Sequence, residues 1–337
     1  MTTDKTSPKI WVISDGTMGM EVQSLGLAEA LTDHPILIRV TLPRLARMFP
    51  RLAKSGLLPL PRVLRQALKE HGQPDLVITT GRRHAGLSLM MRRVGGGKMK
   101  TIHIQNPRLP ATWFDWLSVP SHDQIRGKNI LVTLGSLNRM ATLMSQKVEL
   151  PDEVKAIQGR KIVVMIGGSN IRYQVHEQDY YQFGKLLADV AAMTQSALIL
   201  VPSRRALANA AEVMKGPLAD TRHWWWDGST PNPYPWILNA GDAIIVTADS
   251  VNMTSEAAAM GKSVHIAELR PESGRVALFH KVMEEAGYTK PITRISLYHF
   301  FVHNENRLDE TTRIANLLKE QLTPSSSDKH QENPENP

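Results

Sequence analysis

The stretch GDAIIVTADSVNMTSEAAAMGKSVHI, residues 241–266, limits the fold more than any other part of the chain. Ala243 to Ala248 is an apolar and Thr run with the length of a buried parallel strand. Asp249 and Ser250 end it, and Met253 to Met260 has helix-forming composition. Gly261-Lys262 then leads into a second strand at Val264 to Ala267. Strand, polar turn, helix and strand make a βαβ unit, whose ligand groups collect where the first strand ends and the helix begins. Asp249, Ser250, Thr254, Ser255 and Glu256 all fall there. Free N–H groups at a helix start favour phosphate or another anion. Equally, Asp249 or Ser250 caps its own helix and Glu256 favours the first turn. The stretch alone leaves both readings open.

The same grammar recurs upstream. Ile10 to Ser14 is a strand, followed by Asp15-Gly16-Thr17-Met18-Gly19 and helical apolar spacing from Glu21 to Leu31. Gly16 and Gly19 let backbone pass close to a ligand, although the spacing is neither G-x-G-x-x-G nor Walker A, and a tight structural turn is the competing reading. Pro74 to Thr80 predicts a strand ending in Gly81-Arg82-Arg83-His84, where adjacent arginines form a candidate anion site. Lys100 to Ile104 is followed by Gln105-Asn106-Pro107-Arg108, and Phe114 to Val119 by Pro120-Ser121-His122-Asp123. His122 beside Asp123 invites proton transfer, but neighbours in an undefined turn need not face each other. In the second half, Arg160 to Ile166 precedes Gly167-Gly168-Ser169, and Ala197 to Val201 precedes Pro202-Ser203-Arg204-Arg205. The Trp224 to Trp226 run reads as core or lid material.

With 337 residues, 42% of them hydrophobic, the chain has the size of two domains. It has no cysteine, which excludes disulfides, thiolate catalysis and Cys-based zinc sites. Its twelve histidines show no H-E-x-x-H, and no G-x-S-x-G elbow supports a hydrolase triad. Neither an apolar leader nor a run of eighteen apolar residues occurs, so the expectation is a cytoplasmic protein, peripheral on the inner face of the membrane if it meets one. Residues 1–150 hold 21 Lys/Arg against 10 Asp/Glu, whereas the remainder holds 19 against 22. A basic first half attracts anionic partners or is simply a solvated face. Within residues 43–69, Arg44, Arg47, Arg51 and Lys54 interleave with leucines, which fits contact with an anionic membrane surface or a cover for the domain's own core. No aromatic-plus-basic module points to nucleic acid, and none is expected as a partner. Residues 323–337 form a polar, low-complexity tail expected to be disordered.

The blocks ISDGTMGMEVQSLGLAEAL, PDLVITTGRR, HIQNPR, VPSHD, MIGGSN, PSRR, NPY and VTADSVNMTSEAAAMGKSV resemble, in order, those of the mitochondrial-fission ELM-type family, widespread in bacteria. That family in turn is similar to the GT-B glycosyltransferases. The resemblance implies an α/β fold of two Rossmann-like domains facing across a cleft, with a C-terminal helix returning to the first. The implied divisions are residues 1–152 on the acceptor or membrane side, 153–294 on the nucleotide-sugar side, and terminal helices over 295–322. It further implies donor contacts from Gly167, Gly168, Ser169, Ser250, Thr254 and Glu256, although Asp249-Ser250-Val251 replaces the usual glycine pair. Arg204, Arg205 or a facing first-domain arginine (Arg82, Arg83, Arg108) would neutralise the leaving group without a metal. Asp15 or His122 would be the base, and a nucleotide-sugar the substrate, with no cofactor. The alternative of a different class is a non-catalytic scaffold that binds a nucleotide or lipid headgroup.

Overall fold

The computed structural model describes residues 7–42, 50–170, 174–229, 233–234, 236–271, 273–293, 297–302 and 306–322. Arg44, Arg47 and the tail at 323–337 lie outside the described residues.

Two parallel sheets of six strands organise the chain. The first has the order β2-β1-β3-β4-β5-β6, from β1 (Ile10–Ser14), β2 (Ile36–Arg39), β3 (Leu76–Thr80), β4 (Lys100–Ile104), β5 (Trp116–Pro120) and β6 (Ile130–Thr133). The second has the order β12-β11-β10-β7-β8-β9. Its strands are β7 (Lys161–Ile166), β8 (Ala197–Pro202), β9 (His223–Trp225), β10 (Ala243–Thr247), β11 (Ser263–Ala267) and β12 (Lys290–Pro291). β1 and β10 are buried at every residue because helices cover both faces of each sheet, so their sequences run apolar without alternation. Side-chain alternation still sorts the faces. Trp11 and Ile13 enter one core of the first sheet, Ile10 and Val12 the other.

The helices that matter for the site are α1 (Met18–Glu29), α2 (Pro50–Ser55), α3 (Arg62–His71), α4 (Ala85–Gly95), α5 (Met140–Ser145), α6 (Asp152–Ala156), α7 (Glu177–Thr194), α8 (Ala210–Lys215), α9 (Trp236–Ala240), α10 (Val251–Ala258), α11 (Gly274–Glu285) and α12 (Glu310–Leu322). Ile314, Ala315 and Leu318 of α12 pack with Ile10, Val12 and Leu27, so the last helix completes a core of the first sheet. Thr311 fixes its start, accepting from the Asn138 amide at 2.9 Å and donating to the Asn138 carbonyl at 3.0 Å.

The tryptophan run is an edge strand, not a lid. Trp225 faces one core of the second sheet while Trp224 and Trp226 face the other. Period-two alternation explains the triplet without a ligand. Among the described residues no helix is long and apolar enough to cross a membrane.

Candidate functional site: the cleft between the sheets

Both sheets turn their carboxyl edges toward a common cleft. A cavity of about 330 Å³ there is lined by Gln105, Ser118 and His122 from the first domain, and by Asn252, Arg275 and Val276 from the second. Two helix starts open into it, α10 through Val251 and Asn252 and α11 through Arg275 and Val276. Converging N-terminal N–H groups beside one guanidinium favour an anion.

The walls are tied across the cleft. Arg275 Nη1 lies 3.1 Å from Asp123 Oδ1, an ion pair in which the Asp123 side chain is only 6% exposed and that of Arg275 46%. His122 sets its ring edge-to-face against Phe279 of α11, centroids 5.9 Å apart. His122 and Asp123, adjacent in sequence, thus face different groups. Gln23 Nε2 donates to Asn252 Oδ1 at 3.0 Å, and Asn252 Nδ2 donates to the Gly19 carbonyl at 3.2 Å. A Cβ at Gly19 would meet Asn252 Nδ2 at 2.8 Å, so this glycine serves domain contact rather than a ligand turn. The Ser136 amide donates to Ser255 Oγ at 2.9 Å, a further strap.

The other expected site residues form separate groups. At the switch point of the first sheet, between β1 and β3, Asp15 Oδ2 lies 3.3 Å from His84 Nε2, and His84 Nδ1 lies 2.6 Å from the Thr80 carbonyl. Burial works to raise the Asp15 carboxyl, but the Thr17 hydroxyl and amide, with His84 and Arg83, outweigh it and hold the group below its ordinary value. A carboxylate held ionised is a weaker proton acceptor. Gly16 has φ of 84°, and Arg82, Arg83 and Arg108 are exposed. Asp15, Gly16, Arg82, Arg83 and Arg108 do not line the cavity.

At the switch point of the second sheet, between β7 and β10, the chain supplies its own anion. Asp249, 5% exposed, accepts from Thr247 Oγ1 at 2.7 Å, from the Gly168 amide at 3.3 Å and from Arg205 Nη2 at 2.5 Å. Burial raises its carboxyl above the ordinary value, against those three partners. The Gly167 amide donates to Thr247 Oγ1 at 2.7 Å. Both glycine amides are therefore engaged internally, and a Cβ at Gly167 would lie 1.9 Å from Asp249 Oδ1. The glycines admit the carboxylate of Asp249 where the resemblance implied a phosphate. Ser169 Oγ accepts from the Val175 amide at 2.9 Å, and Arg204 is exposed.

Along α10, Ser250 Oγ accepts from the Met253 amide at 3.4 Å, so the capping reading applies to Ser250. Thr254 is fully buried, its hydroxyl without a partner among the described residues. Glu256 takes a hydrogen bond from the Tyr234 hydroxyl, and burial pushes its carboxyl up to about 7 against that bond. Asn252, Gln23 and Arg275 have no motif in the sequence to mark them, because each is an ordinary polar residue within a helical pattern, whereas Ser255 falls among the strand-end groups already singled out.

A family model described as Mitochondrial fission ELM1 matches residues 18–322. The chain belongs to this family. An uncharacterized protein of Rickettsia prowazekii is 27% identical over 92% of this chain and 97% of its own length. The mitochondrial fission protein ELM1 of Arabidopsis thaliana is 29% identical over 68% of this chain, and the match spans 59% of that protein. Among solved structures, the UDP-GlcNAc 2-epimerase of Neisseria meningitidis bound to UDP-GlcNAc superposes with a TM-score of 0.58 at 15% identity, covering 92% of this chain and 100% of that one. The glycosyltransferase SnogD of Streptomyces nogalater gives 0.56 at 13% identity, over 94% and 99%. This ELM1-family chain thus has the GT-B fold, two Rossmann-like domains across a cleft, seen in glycosyltransferases and nucleotide-sugar epimerases.

Proposed function

We infer that the chain binds a nucleoside diphosphate sugar in the interdomain cleft and transfers its sugar to an acceptor at a membrane or envelope surface. The observation that carries this reading is the meeting of the α10 and α11 starts and Arg275 in a cavity walled by His122. The diphosphate would lie against those helix starts and draw Arg275 away from Asp123, so ligand entry and the interdomain ion pair compete for one guanidinium. An acceptor hydroxyl would attack the anomeric carbon as the bond from that carbon to the phosphate oxygen breaks. The diphosphate leaves with the electron pair, and the imidazole of His122 takes the hydroxyl proton. His122 is preferred to Asp15 because it lines the cavity and Asp15 does not. The fold supports the ligand class, since the N. meningitidis epimerase of the same fold is bound to UDP-GlcNAc.

Calorimetric titration with UDP, UDP-GlcNAc and other nucleotide sugars tests the reading. Saturable binding is expected, weakened in Arg275→Ala by roughly tenfold to a hundredfold, the effect of about 1.5–3 kcal/mol for a charged hydrogen bond. His122→Ala should retain binding and lose sugar transfer. If none of these nucleotides binds the intact chain, the reading fails and a scaffold role takes its place.

A further inference from the structure

The opposite edge of the first sheet carries a second cavity, of about 380 Å³, of a different kind. Lys54, Arg92, Arg93, Lys100 and Trp113 line it with Asp115. Lys100 opens β4, and Ile104 at the far end of that strand lines the interdomain cavity, so the two hollows lie at opposite ends of one strand.

The charges in this hollow do not cancel. Asp115 is committed, with Oδ1 accepting from Arg92 Nε at 3.1 Å and Oδ2 accepting from the Thr101 amide and hydroxyl, both at 2.9 Å. Arg93 donates to the carbonyls of Ala53 at 3.1 Å and Leu58 at 3.4 Å, which orient its guanidinium but leave its charge in place. Lys54 Nζ sits 4.2 Å from the centroid of the Trp113 ring. Among the described residues, Lys54, Arg93 and Lys100 pair with no carboxylate. Around the residues that hold Arg93, the chain exposes Leu57 at 72%, Val94 at 43% and Leu52 at 38%. One exposed leucine is ordinary. Three apolar side chains beside an uncancelled basic pocket with an indole wall match the layering of a lipid–water boundary, with cations at phosphate depth and apolar groups below.

We propose that this pocket binds the phosphate headgroup of an anionic phospholipid, with Leu57 and Val94 entering the acyl boundary. A soluble phosphate would have no use for the exposed apolar rim, which is why a lipid is the occupant assigned. The inference stands apart from the cleft reading, since it rests on the other end of the sheet.

Sedimentation of the full chain with vesicles at low salt is the test. Pelleting is expected with phosphatidylglycerol mixed into phosphatidylcholine, and not with phosphatidylcholine alone. Lys54→Glu with Lys100→Glu should weaken partition about tenfold or more, and Leu57→Asp severalfold. All three positions are exposed, so the unfolding midpoint should stay at the wild-type value. If charge reversal does lower the midpoint, Lys54→Gln with Lys100→Gln carries the same test with a smaller charge change. Equal pelleting of wild type and both variants overturns the proposal. So does saturable calorimetric binding of glycerol phosphate without any phosphatidylglycerol pelleting, which would assign the pocket to a soluble phosphate.

Discussion

Gly167→Ala is expected to lower the unfolding free energy by about 3 kcal/mol, and much of that loss should vanish when Asp249 is also shortened to Ala. The three atoms nearest an added Cβ all belong to the Asp249 carboxylate, at 1.9, 2.4 and 2.4 Å. That carboxylate has nowhere to go, being held by Thr247, the Gly168 amide and Arg205. Overpacking a tight interior costs about 1–3 kcal/mol, and displacing the carboxylate adds the loss of its buried hydrogen bonds, about 1–3 kcal/mol more. Asp249→Ala alone should cost about 1–2 kcal/mol, because the Arg205 side chain is 41% exposed and water replaces its partner. In the double variant the clash is gone, so urea melts should show a coupling of at least about 1 kcal/mol. Additive losses would mean that Asp249 does not fill the glycine turn.

Glu256→Gln should leave a variant whose stability relative to wild type improves as pH rises. Burial raises the Glu256 carboxyl from 4.5 to about 7 in the folded chain. Between those values the folded protein holds a proton that the unfolded chain has released. The contribution of this group is therefore fully present below about pH 4.5 and is lost as pH climbs through about 7. Its full size is on the order of 3 kcal/mol. Glutamine keeps an acceptor for the Tyr234 hydroxyl and does not titrate, so the gap between variant and wild type should move by about 2–3 kcal/mol in the variant's favour between pH 5 and pH 8. Urea melts at the two pH values read it. A gap that does not move would place Glu256 in an environment as wet as an ordinary surface carboxylate.

These two experiments bear on what the second domain has done with a nucleotide-binding turn. Gly167, Gly168 and the end of β10 have the arrangement that elsewhere admits phosphate, yet Asp249 stands in it. The anion-favouring positions that stay open are the starts of α10 and α11, both on the cleft. A ligand bound there would meet Arg275, which lines the cavity and is paired with Asp123, rather than Arg205, which is paired with Asp249 and does not line it.

Local patterning marks the strands and the turns after them, while the pair of facing domains is what the family resemblance implies. Strands such as IWVIS and AIIVT read as buried because a parallel sheet covered on both faces needs apolar side chains on both sides, and polar turns after them mark the carboxyl edge. The short edge strands escaped it, β12 having two residues and β9 being a tryptophan run whose alternation shows only against two cores. The site was legible only in part. His122 could be picked out because it follows a strand, whereas Arg275 and Asn252 have nothing local to distinguish them from surface residues. Their roles arise from partners far along the chain, as with Gln23 and Asn252, 229 residues apart. Which glycine faces a ligand and which faces a neighbouring side chain is likewise a matter of what packs above it. Chain-local chemistry determined the strands, the turns and their order; the pairing of β7 with β10 decided that Asp249 filled the Gly167 turn, and the approach of the two sheets decided which cleft remained open.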